Sequence, residues 1–135
     1  MVELGGGTGL QTLLAIESGV GHVTYSDIYD VSSRDVTEVA RAVGLEIPAI
    51  ICADTEDLVA ELNADPSGVD VIVSYDVLEH IYDVPSHLQV MSLLRYPPLN
   101  LTNASGANDY NTRYARQVQR IQVSAEKLCV PPRPI

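Results

Sequence analysis

The chain is 135 residues long, which fits one domain around a single core; a chain near this size buries roughly 68–70% of its unfolded surface. Its 8 basic and 18 acidic residues give a net charge of −10, which argues against non-specific nucleic-acid binding. Cys52 and Cys129 lack metal-ligand spacing, and with no signal peptide or bilayer-length apolar run the expected compartment is the cytoplasm.

The charge is uneven. Through Asp83 there are 2 basic and 16 acidic residues, a balance of −14, and from Val84 onward 6 and 2, a balance of +4. Arg113, Arg116 and Arg120 in the basic part read as a solvated helix face rather than an anion site.

In chain order, a short apolar strand over residues 1–4 runs into Gly5-Gly6-Gly7-Thr8-Gly9. Glycine has no Cβ, so the turn can be tight and a ligand can approach the backbone. The spacing is G-x-G-x-G, and the third glycine of a dinucleotide fingerprint is replaced by Leu10. Residues 10–18 then place Leu10, Leu13, Leu14 and Glu17 at helical spacing, closed by Gly19 and Gly21. A strand over 22–26 leads to Asp27, about 20 residues beyond the glycine loop, where a carboxylate can accept hydrogen bonds from ribose hydroxyls. A turn cap is the competing role for Asp27, because Asp30, Ser32 and Ser33 make the whole connection polar.

A helix over 33–43 carries Val36, Val39, Ala40 and Val43 on one face, and Gly44 ends it. The apolar strand 49–52 follows, with Cys52 read as a buried small hydrophobe. Asp54 or Thr55 caps a helix over 54–63 that turns Leu58, Val59 and Leu62 inward; Asp54 is equally able to accept from an exocyclic amine. Residues 65–68 make a turn, and a fourth buried strand over 69–74 ends in Ser74-Tyr75-Asp76-Val77-Leu78-Glu79-His80-Ile81. The helix 85–95 shows Leu88, Met91 and Leu94 or Leu93 to the core. Tyr96-Pro97-Pro98 precedes a fifth strand over 99–102, and residues 112–127 have helical propensity that Val130-Pro131-Pro132-Arg133-Pro134 cannot continue.

Continuous apolar strands alternating with helix-period segments predict an α/β fold, with an open, mostly parallel sheet and helices on both faces. Ligands of such sheets bind outside the carboxyl ends of the strands, where the glycine loop, Asp27, Asp54 and the 76–80 segment converge.

Together, Val2 to Gly9, Asp27, the Ala53-Asp54 step and Asp76-Val77-Leu78-Glu79-His80-Ile81 resemble the class I methyltransferases that use S-adenosylmethionine. The hexapeptide is typical of their small-molecule O-methyltransferase branch, and the resemblance extends from Met1 to about residue 123. It implies a Rossmann-like sheet in the order 3-2-1-4-5, part of the family's 3-2-1-4-5-7-6. The family's cofactor contacts would then fall on Glu3, Gly5, Gly6, Gly7 and Gly9 for the methionine portion and Asp27 for the ribose. Asp54 would meet the adenine amine, Ile28 and Thr55 would flank the base, and the backbone of Ser74 and Tyr75 would line the region near the sulfonium.

The implied reaction transfers a methyl group to a small-molecule acceptor, with His80 as base and Asp76 beside it. Asp76, Glu79 and His80 also match a pattern of metal-dependent relatives, although no metal is expected. Residues 1–83 read as the cofactor half and 84–135 as the acceptor side, where Asn103, Asn108 and Tyr110 are candidate contacts. Because the chain starts at strand one and ends after strand five, the resemblance implies a domain truncated at both ends. Two other functions stand beside methyl transfer: a non-catalytic binding module and a nicotinamide-dependent oxidoreductase. The free edge of strand five is an expected surface for self-association.

Overall fold

The computed structural model describes residues 1–104, together with Arg116, Gln117, Arg120, Ile121 and Ser124. Five strands, β1 (Val2–Leu4), β2 (Thr24–Asp27), β3 (Ala49–Cys52), β4 (Val71–Tyr75) and β5 (Leu99–Asn103), form one sheet in the order β3-β2-β1-β4-β5. Every pairing is parallel, so each connection must cross over, and the helices α1 (Leu10–Glu17), α2 (Asp30–Ala42), α3 (Thr55–Ala64) and α4 (Val84–Met91) fill the four crossovers. A short 3-10 turn, Leu78–His80, lies between β4 and α4. The Rossmann-like α/β fold and its strand order agree with expectation.

The core lies between α3 and the centre of the sheet. Val2 of β1 and Ile72 of β4 are paired in register and pack with Leu58 and Leu62 of α3. Leu58 is fully buried, which is worth about 1.5–3 kcal/mol for a side chain of its size. The start of α3 is fixed by Asp54, whose Oδ1 accepts from the Asp57 amide at 3.0 Å. Asp83 starts α4 in the same way, accepting from the Ser86 amide at 3.0 Å, and Pro85 fits the first turn, where its missing N–H costs no helical bond.

Several inward faces differ from the sequence pattern. In α1 the buried residues are Thr12 and Ala15, whereas Leu10 and Leu14 are exposed. The cause is the tie between the Thr12 amide and the Glu3 carboxylate, which pins that side of the helix against β1. Helix α2 begins at Asp30 and buries Val36 and Ala40, leaving Val39 and Val43 at its exposed borders. In α4, which ends at Met91 rather than reaching Arg95, the inward residues are His87 and Met91, with Leu94 just beyond the helix, so His87 takes the position expected of Leu88, which is exposed. Cys52 is also exposed rather than buried, because β3 is an edge strand that alternates between half-buried and exposed residues. All of β5, at the other edge, is exposed.

Ser105–Ile135 forms a second compact unit, whose described residues are helical and exposed, Arg116 and Arg120 among them. Asn108, Tyr110, Arg113 and Cys129 lie outside the described residues. Among the described residues no helix is long and apolar enough to cross a membrane.

Candidate functional site

The loop from β1 to α1 makes a close approach to the sheet. Gly6 donates its N–H to the Ser26 carbonyl at 2.9 Å, and a Cβ on Gly6 would collide with Cε2 of Tyr25. A Cβ on Gly5 would lie 2.6 Å from Cγ2 of Val77, so the loop is also pressed against the segment after β4.

Three buried side chains hold this loop. Glu3 is 4% exposed, and its carboxylate accepts from the Thr12 amide at 2.8 Å and the Gln11 amide at 3.3 Å. Those amides belong to the first turn of α1, whose free N–H groups and dipole stabilise the buried charge. Asp27 accepts from the Gly7 amide at 2.9 Å through Oδ2 and from the Tyr29 amide at 2.9 Å through Oδ1. The Tyr25 hydroxyl donates to the Gly7 carbonyl at 2.8 Å. Burial, followed by the charges of Asp27 and Glu3, pushes the Tyr25 phenol far above its ordinary value, so it remains a donor.

The carboxyl ends of the strands open into a cleft of about 340 Å³. The structure brings Gly5, Asp27, Ile28, Asp54, Thr55 and His80 together in its lining, with Ser26, Val77, Tyr82 and His87. Glu3 and Gly9 are buried and, like Gly6 and Gly7, lie outside that lining. Ser74 lies outside the cleft; its hydroxyl donates to Thr102 Oγ1 at 3.1 Å in a neighbouring cavity beneath α4. Tyr75 is half-exposed at the end of β4. Asp76 follows with φ at 55°, an uncommon value outside glycine, and donates its N–H to the Asn103 carbonyl at 2.8 Å. Among the described residues no three His, Cys, Asp or Glu side chains gather as a metal site, so Asp76, Glu79 and His80 do not form one.

Sequence reasoning missed Tyr25, Ser26 and His87. Ser26 is 1% exposed, and its hydroxyl has no hydrogen-bond partner among the described residues. His87 is 8% exposed, and its Nδ1 is hydrogen-bonded to Thr55 Oγ1 at 2.9 Å. Burial lowers the His87 pKa, favouring the neutral ring. The i, i+4, i+7 spacing of His87, Met91 and Leu94 carried the signal for His87; Ser26 gave none.

Comparison with known proteins agrees with the fold. The crystal structure of the PH0226 protein from Pyrococcus horikoshii OT3 is similar, with a TM-score of 0.60 and 18% identity, over 90% of this chain and 52% of that one. This chain therefore spans about half the length of that protein, and the likeness is one of fold. No curated protein matches the sequence. The family model described as Methyltransferase domain matches residues 2–93, a stretch that holds the glycine loop, the first four strands and every lining residue of the cleft. On that match the chain belongs to the methyltransferase domain family.

Proposed function

We propose that this chain binds S-adenosylmethionine in the cleft and transfers its methyl group to the hydroxyl of a small molecule, as the O-methyltransferase branch does. The observation that carries the reading is the convergence of Asp27 and Asp54, at the ends of the adjacent strands β2 and β3, with Gly5 and His80 in one cleft.

The residues present fit that ligand. The Ser26 hydroxyl is a buried polar group with no partner among the described residues, which costs about 1–3 kcal/mol until a ligand or water supplies one. Gly5 and Gly6 pack where no Cβ fits, and the exposed Ile28 offers an apolar surface to a base. In this reading Asp27 holds the ribose, Asp54 the adenine amine, Ile28 and Thr55 the base, and Glu3 with Gly5, Gly6, Gly7 and Gly9 the methionine end. The backbone at Ser74 and Tyr75 borders the sulfonium. When bound, S-adenosylmethionine supplies an electrophilic methyl group. The chain's task is then positioning, which can provide much of the rate. His80 takes the proton of the acceptor hydroxyl, and Asp76, at the strained end of β4, is the second group assigned to catalysis. The reading also includes self-association through β5, whose outer edge is unpaired among the described residues.

Calorimetric titration with S-adenosylmethionine, and with NAD as control, tests the reading. Saturable binding of the former alone is expected. Binding of NAD alone would overturn it in favour of hydride chemistry, and S-adenosylmethionine binding without turnover on any hydroxyl acceptor would mark a binding module.

A further inference from the structure

The cavity beneath α4, bounded by β4 and β5, has a volume of about 270 Å³. A dry cavity of about 150 Å³ accepts benzene, so this space suits one substituted six-membered ring. Leu4, Ile72, Leu78, Met91 and Leu94 give it apolar walls, and among the described residues no Asp, Glu, Lys or Arg lines it. A charged ligand would lose hydration there without a counter-ion.

Five polar residues line the cavity, Ser74, His87, Ser92, Asn100 and Thr102, and a hydrogen bond joins two of them. Ser74 and Thr102 are register partners on β4 and β5, and Ser74 donates to Thr102, which leaves the Thr102 O–H free to donate to a ligand. His87 enters from α4 and lines both this cavity and the cleft, as Leu4 does, so the two spaces meet at these residues. Because Thr55 occupies Nδ1, Nε2 is the ring nitrogen left for a ligand. Its role depends on the tautomer, and a hydroxyl can pair with either form because it both donates and accepts.

We propose that this cavity binds an uncharged, ring-sized compound bearing a hydroxyl, such as a phenol or a cyclic alcohol, with that hydroxyl between His87 and the Ser74–Thr102 pair. Its identity as the acceptor site rests on the methyl-transfer reading above, with His87 in place of His80 as the ring beside the acceptor hydroxyl; the binding itself does not. The neutral state of His87 is consistent with an uncharged guest.

The test is p-cresol binding to the full chain, followed by ligand-observed NMR with and without S-adenosylmethionine, against toluene and 4-methylbenzoate. Saturable binding of p-cresol, roughly tenfold tighter than either control, is expected. Leu88 lines the cavity and is 55% exposed, so Leu88→Trp can fill the space from the surface without replacing a core residue. It should weaken p-cresol about tenfold and leave S-adenosylmethionine affinity unchanged. Should that variant fail to fold, Thr102→Val on the exposed strand removes one hydroxyl and should weaken p-cresol several-fold. Absence of saturable p-cresol binding, or binding that neither variant alters, overturns the proposal. Binding that responds to the variants in a chain that does not take S-adenosylmethionine upholds the pocket and removes the methyl-transfer reading.

Discussion

Asp27 and Gly7 are joined by a 2.9 Å hydrogen bond from the Gly7 amide to Oδ2, which ties the end of β2 to the middle of the glycine loop. Tyr25, two residues earlier on the same strand, holds the Gly7 carbonyl, so β2 engages both the N–H and the carbonyl of Gly7. The carboxylate expected to meet a ribose is therefore also the residue that shapes the loop.

Asp27→Asn should weaken S-adenosylmethionine binding about tenfold, since the amide can no longer accept from both backbone N–H groups. Calorimetry gives the affinity, and thermal unfolding shows whether the domain stays folded. Unchanged affinity in a folded variant would remove the ribose assignment.

Two neighbouring glycines should respond differently to alanine. At Gly6 the new Cβ would meet the ring of the fully buried Tyr25, an overpacking expected to cost about 1–3 kcal/mol and to displace the loop. At Gly7 the Cβ would meet nothing within 4 Å, and only its φ of 52° is unfavourable, at about 1–2 kcal/mol. Urea unfolding measures both. Cofactor affinity should fall more for Gly6→Ala, and equal losses would contradict the packing argument.

Stability should depend on His87 in mildly acidic solution. Burial lowers its folded pKa below the ordinary 6.5, so below that pH the unfolded chain binds the proton more readily. The contribution is full above pH 6.5 and declines as the pH falls. The difference in stability between the parent and His87→Gln should therefore shift in the variant's favour from pH 7.5 to pH 5. A difference that stays constant would show that burial does not disfavour the charged ring.

Association through β5 should be sensitive to charge on the strand. Leu101 is 50% exposed, and Leu101→Lys should shift sedimentation toward the monomer without lowering the thermal midpoint. A parent chain that is monomeric at all concentrations would end that assignment.

The fold was largely legible because its elements alternate so regularly: each glycine cluster and acidic cap marks a boundary, and Asp54 caps α3 as its position before Thr55 suggests. What the pattern could not convey was which helix face meets the sheet. Apolar spacing favoured Leu10 and Leu14 in α1, but a hydrogen bond from Thr12 to a strand residue nine positions away turned that face outward. Cys52 lies in an apolar run, yet the run is an edge strand, and edges are set by sheet order rather than by local composition. In the site, Asp27, Asp54 and His80 were visible as polar residues after buried strands. Tyr25 and Ser26 sit inside a strand, where neither spacing nor charge distinguishes a site residue from filling.

The chain has seven tyrosines and no tryptophan, so its near-ultraviolet spectrum comes mainly from phenols. Tyr25 is fully buried, bonded to the glycine loop and in contact range of Gly6, and a phenol held that rigidly in an asymmetric setting gives a strong circular-dichroism signal. The glycine loop therefore carries its own optical label, which can report its order without any added probe.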